Sequence, residues 1–236
     1  MTDEQRLAAR FAELSGDLLG ESDVGTTFDS VVTRAVEMVP GCTHATITLR
    51  KRRGTAETVA ATDEMVERLD GVQYDFGEGP CLDAAFDRGN VVVDDTAAGT
   101  RWPRWSAEAC VQGVGSLMAI RLHAGDETLG ALNLFAETPG TFSGESGDVA
   151  LIYAAHATEA MSKARLVAGL RAALESRHII GIAQGVLAAR YDISYERAFE
   201  VLHRYSNDHN LKLRDVAETV ASERGLPPGR SPDVTA

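Results

Sequence analysis

The sequence predicts an α+β fold for roughly its first two thirds and an all-α bundle after it. Two alternating stretches, residues 115–123 and 129–136, are joined by a short glycine-containing connection that favours an antiparallel hairpin. Helical patterns lie at both ends of this region, which is typical of an antiparallel sheet flanked by helices and not of a doubly wound parallel sheet. Beyond it, up to about residue 222, apolar residues recur at helical spacing.

Two amphipathic helices are predicted before the sheet. The first has apolar residues at i, i+4, i+7 and i+11, namely Leu7, Phe11, Leu14 and Leu18. The second covers residues 23–39 and is ended by Pro40 and Gly41.

Three further strands are predicted besides the hairpin. Residues 42–49 alternate as a half-buried strand does, with Ala45, Ile47 and Leu49 on one side. Residues 55–61 and 91–94 are the other two.

Residues 77–80, Gly-Glu-Gly-Pro, lack the lysine and the spacing of a phosphate-binding loop. We therefore expect a turn with positive φ values, followed by a helix that begins at Cys81. Cys81 admits two interpretations: a thiol whose pKa is lowered by the helix N-terminus, or a buried, inert thiol.

Trp102 and Trp105 fall in a predicted long connector, residues 94–108. Two tryptophans in such a loop either stack on a flat ligand or cover the core, and the sequence leaves both interpretations open. The candidate ligand-binding residues are thus Cys81, Trp102 and Trp105. No cofactor is named, because isolated histidines are more often structural residues than haem ligands.

A turn-rich segment, residues 138–145, precedes a nearly continuous predicted helix over residues 148–190. This helix carries an imperfect apolar seam that suits a signalling helix beside a partner chain: Ile152, Ala155, Leu166, Leu170 and Leu174. We therefore expect a homodimer through the N-terminal helices and this connecting helix.

The C-terminal region predicts a three-helix unit. Its first helix has two apolar stripes. One consists of Ile180, Ala183, Leu187 and Tyr191, and the other of Ile179, Ile182 and Val186. Such a helix must pack twice, against its own domain and against a second chain or an upstream coiled coil. Ser194 is a suitable N-cap for the second helix, which buries Ala198, Leu202 and Tyr205. The third buries Leu213, Val216, Ala217 and Val220.

Between the two stripes, Arg177, Gly181, Gln184 and Ala188 follow one another at spacings of 4, 3 and 4 and are surface neighbours. We call these four residues the small-residue strip. It either lets a nucleic-acid loop approach the backbone or permits a close helix crossing, and spacing alone favours the crossing.

This region resembles the ANTAR domain, a bacterial RNA-binding module of transcription antitermination regulators. The matching positions are Arg177-x-x-Ile180, residues 183–187 (Ala-Gln-Gly-Val-Leu), Ser194, Ala198-Phe199-x-x-Leu202 and residues 212–217 (Lys-Leu-Arg-Asp-Val-Ala). The resemblance implies RNA contacts by Arg177, Gly181, Ala183, Gln184, Gly185, Ala188, Arg190, Arg204, Lys212 and Arg214. The family most often has lysine where this chain has Gln184, a departure that removes a positive charge.

Residues upstream resemble a GAF domain, a sensory module that binds small molecules, holds a chromophore or haem, or serves for dimerisation. The resemblance rests on Gly77-Glu78-Gly79-Pro80-Cys81, Val93-Asp94 and residues 115–122 and 129–134. It implies a GAF sensory domain over residues 5–160, an ANTAR RNA-binding domain over residues 161–223 and a mobile tail over residues 224–236.

Composition limits the classes of function. Residues 1–164 carry 26 acidic and 13 basic side chains, whereas residues 165–225 carry 8 acidic and 9 basic side chains. An acidic body disfavours unspecific binding to nucleic acid, so RNA recognition should be local. No run of 18 apolar residues and no signal-peptide core occur, and the three cysteines are scattered. We expect a cytoplasmic chain without contact to a membrane.

The two resemblances together imply a signal-responsive RNA-binding regulator that prevents transcription termination. It would bind hairpin loops in nascent RNA, in the paired stem-loops of leader transcripts. No catalytic or metal-binding constellation occurs in the sequence, so we expect no enzymatic activity. Two alternatives are a GAF-fold thiol enzyme of the free methionine sulfoxide reductase type, and a dimerisation or interaction module without RNA binding.

Overall fold

The computed structural model divides into two compact units, Met1–Val167 and Ala168–Ala236. It describes Gln5, Ala9 and residues 23–226, apart from residues 52–53, 87–88, 100 and 126. The predicted first helix, with Leu7, Phe11, Leu14 and Leu18, lies outside the described residues.

The described part of the N-terminal unit contains five strands and four complete helices. The helices are α1 (Val24–Met38), α2 (Glu64–Phe76), α3 (Pro80–Phe86) and α4 (Pro103–Val111). The strands are β1 (His44–Arg50), β2 (Ala56–Ala61), β3 (Val91–Val93), β4 (Ser116–Ala124) and β5 (Glu127–Ala136). Helix α5 (Glu145–Tyr191) begins here and ends in the C-terminal unit, which adds α6 (Tyr195–Asp208) and α7 (Leu213–Glu223).

The five strands form one sheet in the order β2-β1-β5-β4-β3, and every pair is antiparallel. This confirms the predicted fold class. The hairpin of β4 and β5 is tighter than the expected connection of residues 124–128, because pairing continues to Ala124 and Glu127. Gly125 has a φ of 58° and permits this tight turn.

The sheet lies between two layers of helices, and β4 illustrates why. Met118 and Ile120 belong to the core shared with α1 and α5, whereas Leu117 and Ala119 belong to the core shared with α2, α3 and α4. Successive side chains of a strand point to opposite faces, so a strand that is apolar at every position is buried on both sides.

Two structural predictions for this unit were wrong about local elements. No helix was predicted over residues 64–76, yet α2 forms there, with Asp63 as N-cap and Gly77 as a left-handed C-cap. The connector of residues 94–108 was predicted without a helix, yet α4 begins at Pro103. Proline is well tolerated in the first helical turn, where its missing N–H has no helical partner.

Strand β1 was predicted to be half-buried and is instead buried on both faces. Ala45 and Ile47 face the apolar core, as predicted, and the alternate residues Thr46 and Thr48 are also fully buried. Buried hydroxyls require hydrogen-bond partners. These threonines therefore indicate a polar cluster inside the domain.

The C-terminal unit has the predicted three-helix core. Ala183, Leu187, Ala198, Leu202, Val216 and Val220 are buried together, and the Ser194 side chain accepts a hydrogen bond from the Arg197 N–H at 3.1 Å as the N-cap of α6. Within the predicted tail, residues 224–236, Gly225 is buried and Leu226 packs against this core. Residues 227–236 lie outside the described part of the chain.

Candidate functional site

The small-residue strip lies on the surface of the C-terminal unit. Arg177 and Gly181 are exposed, and Gln184 and Ala188 are half-buried. A Cβ atom added at Gly181 would meet no described atom within 4 Å, so the space beside this glycine is open. The close-crossing interpretation thus has no partner among the described residues of this chain.

Gln184 and Gly185 connect the strip to the start of α6. The Gln184 side chain donates a hydrogen bond from Nε2 to the Tyr195 carbonyl oxygen at 3.1 Å. A Cβ atom at Gly185 would lie 3.8 Å from the Tyr195 hydroxyl, an ordinary contact. Gln184, where the family usually has lysine, therefore fixes the position of α6 against α5 through its amide.

The predicted RNA-binding cations fall into two groups. Within the described part of the chain, the side chains of Arg177, Arg204 and Lys212 have no hydrogen bond or ion pair. Arg190 instead donates from Nη1 to the Arg224 carbonyl oxygen at 2.5 Å and so joins α5 to the C-cap of α7. Arg214 donates from Nε to Glu218 at 2.9 Å and lies 3.6 Å from Glu175.

One predicted contact is corrected by its burial. Ala183 has no exposed surface and belongs to the core of the C-terminal unit, so its side chain cannot form part of an RNA surface. Its neighbours Gly181 and Gln184 turn outwards because successive helical residues are rotated by about 100°.

The N-terminal unit contains a buried polar cluster that sequence analysis did not find. Asp70 on α2 lies at its centre. Its Oδ2 accepts hydrogen bonds from Thr46 at 2.6 Å and Thr58 at 3.0 Å, and its Oδ1 accepts from Gln73 at 3.1 Å. Asn133 on β5 donates from Nδ2 to Thr46 at 2.9 Å and is 3.5 Å from Asp70.

The cluster extends to the start of α3. Gln73 accepts a hydrogen bond from the Cys81 N–H at 2.8 Å, and the Cys81 thiol is 3.5 Å from the Thr48 hydroxyl. The Tyr74 hydroxyl lies 2.7 Å from Thr58 and 3.0 Å from Thr48. The space between β1, β2, β5 and α2 is therefore lined by hydrogen-bonded polar side chains, and within it the Asn133 Oδ1 has no partner among the described residues.

Burial determines the protonation of this cluster. It raises the pKa of Asp70 to about 6, although the hydrogen bonds from the threonines and Asn133 oppose the change. Burial, together with the nearby Asp70 carboxylate, raises the pKa of Cys81 well above its ordinary value. Of the two interpretations of Cys81, the structure favours the buried, inert thiol.

Both tryptophans of the predicted ligand site are core residues. Trp105 is fully buried and Trp102 nearly so, in the cluster with Leu69, Ala84 and Phe135. Their positions favour the interpretation in which they cover the core. A cavity of about 490 Å³ opens on another side of this region, beside Tyr74, Leu82 and Phe86, and its described lining includes neither tryptophan nor Cys81.

The described residues offer neither a cluster of metal ligands nor a helix suited to span a membrane. No group of three or more His, Cys, Asp or Glu residues in the described ranges could hold a metal ion. Among these residues, too, no helix combines the length and the apolar character needed to cross a membrane.

Family models match nearly the whole described chain. The GAF domain model matches residues 21–162, and the ANTAR domain model matches residues 168–220. No curated protein matches the sequence significantly.

Solved structures share the fold of the N-terminal unit at low identity. The GAF domain of an Acinetobacter phosphoenolpyruvate-protein phosphotransferase has a TM-score of 0.53 and 12% identity, with 71% of this chain and 98% of that chain covered. A free methionine-R-sulfoxide reductase from Neisseria meningitidis has a TM-score of 0.53 and 16% identity, with 70% of this chain and 95% of that chain covered. The chromophore-binding domain of a bacteriophytochrome from R. palustris has a TM-score of 0.52 and 11% identity, with 69% of this chain and 63% of that chain covered. Identities this low show a shared fold alone.

Proposed function

Because the chain belongs to the GAF domain family and carries an ANTAR domain after its GAF domain, we propose that it is a signal-responsive regulator that binds hairpin loops in nascent RNA and prevents transcription termination. The ANTAR domain is the output, and its partner is RNA with paired stem-loops in the cytoplasm. The GAF domain receives the signal, and the cavity beside Tyr74 is where a small-molecule ligand would bind.

The open surface beside Gly181 is the observation that carries this proposal. No described atom lies within 4 Å of a Cβ added there, and the exposed Arg177 stands one helical turn away without a partner among the described residues. A loop of RNA can approach the helix backbone at such a place, while the guanidinium binds phosphate or stacks on a base. The acidic remainder of the chain repels phosphate elsewhere, so binding is confined to this surface.

Replacing Gly181 by leucine tests the proposal. The Gly181→Leu side chain fills the open space and should weaken binding to a paired stem-loop RNA by ten-fold or more, the order of effect of losing one good contact. Helix content should stay equal or rise, because leucine is the better helix former. Gel shift or fluorescence anisotropy measures the affinity, and circular dichroism measures the helix.

The matched control is Ala189→Leu. Ala189 is exposed on the same helix but lies about 80° around its axis from Gly181, by the 100° rotation per residue. The Ala189→Leu variant should bind the stem-loop RNA with the same affinity as the parent chain. Equal affinity of Gly181→Leu and the parent would contradict RNA contact at the strip, and unfolding of Gly181→Leu would mean that the glycine serves packing.

We further propose that the regulator is a homodimer and that α5 contributes to its interface. Leu166, Leu170 and Leu174 follow one another at spacings of four and are 64%, 57% and 66% exposed. Three large apolar side chains in one row on a helix are costly to leave in water, and a second copy of the same helix would cover them.

An aspartate in this row should separate the copies. Leu170→Asp buries an unpaired charge if the row is an interface, so sedimentation should give a monomer where the parent gives a dimer. Ala172→Asp adds the same charge to the opposite side of α5, at another exposed position, and should remain dimeric. A monomeric parent at tens of micromolar, where an interface of ordinary transient affinity is occupied, would contradict the proposal.

The thiol-enzyme alternative has less support. Of the three cysteines, Cys110 is exposed but Cys42 and Cys81 are buried, and burial raises the pKa of Cys42 to about 12. The thiolate is the reactive form, so these two residues are poor nucleophiles. Together with the GAF and ANTAR architecture, this favours a regulator over an enzyme.

A further inference from the structure

Helix α6 carries an exposed aromatic row that the small-residue strip does not include. Tyr195, Phe199, His203 and Asn207 follow one another at spacings of four and therefore lie along one side of the helix. Tyr195 is 60% exposed and Phe199 is 39% exposed. We call these four residues the aromatic row.

The row is ordered by contacts between its members. The rings of Phe199 and His203 are stacked, with centroids 6.1 Å apart and planes at 26°. The Asn207 side-chain nitrogen is 3.2 Å from Nδ1 of His203. The rings of Phe199 and His203 thus contact each other on a helix whose other side, with Ala198, Leu202 and Tyr205, forms the core.

The aromatic row begins where the small-residue strip is in contact with α6. Tyr195 accepts the hydrogen bond of Gln184 through its carbonyl oxygen, and its hydroxyl lies beside Gly185. The open surface at Gly181 and the exposed rings therefore belong to adjoining parts of one surface. One part lets a ligand come close to a helix, and the other presents π faces and hydrogen-bonding groups.

We propose that the aromatic row is a stacking platform for unpaired bases of the RNA loop, an inference that rests on the proposed function. Exposed rings bind single-stranded nucleic acid by stacking on bases, and Tyr, His and Asn side chains also hydrogen-bond with base edges. The row and the strip together contain Arg177 and His203 and no carboxylate. In a chain of net charge −12, these two sets of residues therefore add no negative charge of their own toward a polyanion.

Pairs of substitutions separate stacking from simple packing. Phe199→Leu and Tyr195→Leu keep an apolar side chain on the helix but remove the π face, and each should weaken binding to a stem-loop RNA by about five- to 100-fold, the range for loss of one stacked base. Phe199→Tyr and Tyr195→Phe keep the ring and should bind within about three-fold of the parent, a smaller change than the loss of one stacked base. The measurement is fluorescence anisotropy with the full chain. Circular dichroism and the melting temperature report whether each variant is folded.

A base analogue tests stacking directly. With 2-aminopurine in the RNA loop, the parent and the ring-keeping variants should quench the fluorescence of at least one loop position on binding, whereas the leucine variant at the stacking ring should not. Equal affinity and equal quenching in the leucine variants would overturn the inference while the proposed function stands. A parent that does not bind the RNA overturns the proposed function and this inference together.

A second copy of the chain could also cover the aromatic row, and sedimentation distinguishes this dimer contact from a contact with RNA. If the leucine variants lose RNA binding only because they become monomeric, the row is a dimer contact and the inference is overturned. If they remain as associated as the parent and lose RNA binding, the row contacts RNA.

Discussion

The Gly130→Ala variant is expected to lose most of the stability of the GAF domain. Gly130 lies in the central strand β5, paired with Leu49 of β1 on one side and Leu122 of β4 on the other. A Cβ atom at this position would overlap the Thr48 carbonyl oxygen and come within 2.9 Å of the Leu49 Cα. Both obstacles are backbone atoms, which cannot move aside by a change of rotamer.

The cost of this methyl group should exceed that of ordinary overpacking. An extra methylene in a packed core costs about 1–3 kcal/mol. Here β1 must also shift away from β5, and Thr48 belongs to the polar cluster around Asp70. We expect a loss on the order of 3 kcal/mol or more, a large part of the stability of a typical domain.

Urea unfolding followed by tryptophan fluorescence measures this loss, because Trp102 and Trp105 are the two tryptophans of the chain and both lie in the core of the GAF domain. Gly71→Ala is the control. Gly71 lies in α2 with no described atom within 4 Å of an added Cβ, and alanine should stabilise the helix by roughly 0.5–1 kcal/mol. An unchanged midpoint for Gly130→Ala would mean that β1 and β5 separate easily at this place.

The helices with an unbroken apolar period could be predicted from sequence. α1, α6 and α7 bury apolar side chains at helical spacing, so the period is visible in the letters, and polar starts such as Asp23 and Ser194 mark their N-caps. The continuous α5 was also predicted, because residues 148–190 contain no proline and few other helix breakers.

α2 could not be found in this way because two of its buried residues are polar. Its inner side consists of Val66, Leu69, Asp70 and Gln73, so the apolar period stops after one turn. The sequence does not reveal that Asp70 and Gln73 face inward, since their partners Thr46, Thr58 and Asn133 lie on three different strands. A buried polar cluster becomes visible only when tertiary structure brings its members together.

The same limit applies to the candidate RNA surface. The spacing of the small-residue strip could be predicted, because it depends on one helix. The contacts of Gln184 with Tyr195 and of Arg190 with Arg224 could not, because each joins α5 to a residue beyond its end. Sequence analysis therefore assigned Arg190 to RNA, whereas in the structure its guanidinium binds the C-cap of α7.

The contribution of Asp70 to the stability of the GAF domain is expected to fall as the pH rises from about 4 to 6. Burial raises the pKa of Asp70 to about 6, from the value of about 3.9 for an exposed aspartate. The folded domain therefore holds a proton that the unfolded chain has released over this range. When the native state binds more protons, the free energy of unfolding decreases with increasing pH.

The expected size of this effect is about 3 kcal/mol, because a change of one pKa unit corresponds to 1.36 kcal/mol. The contribution of Asp70 to the stability is largest below its pKa in the unfolded chain and decreases between its two pKa values. Above its pKa in the folded domain, the stability no longer changes with the titration of this group. Other carboxylates of the acidic chain also titrate here, so the effect must be measured as a difference from a variant without the Asp70 carboxyl.

Asp70→Asn provides that difference. Asparagine has the same shape and stays neutral, and the hydroxyls of Thr46 and Thr58 can accept as well as donate hydrogen bonds. Urea unfolding of the variant and the parent between pH 4 and 7.5 should therefore show the variant gaining stability relative to the parent as the pH rises. Asp75→Asn removes an exposed carboxyl from the same helix and controls for the loss of one charge.

A difference that is constant over this range would mean that Asp70 releases its proton at the same pH in both states. That outcome requires either water or a cation near Asp70 in the folded domain, since its four hydrogen-bonding neighbours, Thr46, Thr58, Gln73 and Asn133, are neutral and cannot offset full burial of a carboxylate. A gain of the expected size would instead show that the interior between α2 and the sheet stays closed to water. A ligand that entered there would then have to displace this hydrogen-bonded cluster, and its binding would change with pH in the same interval.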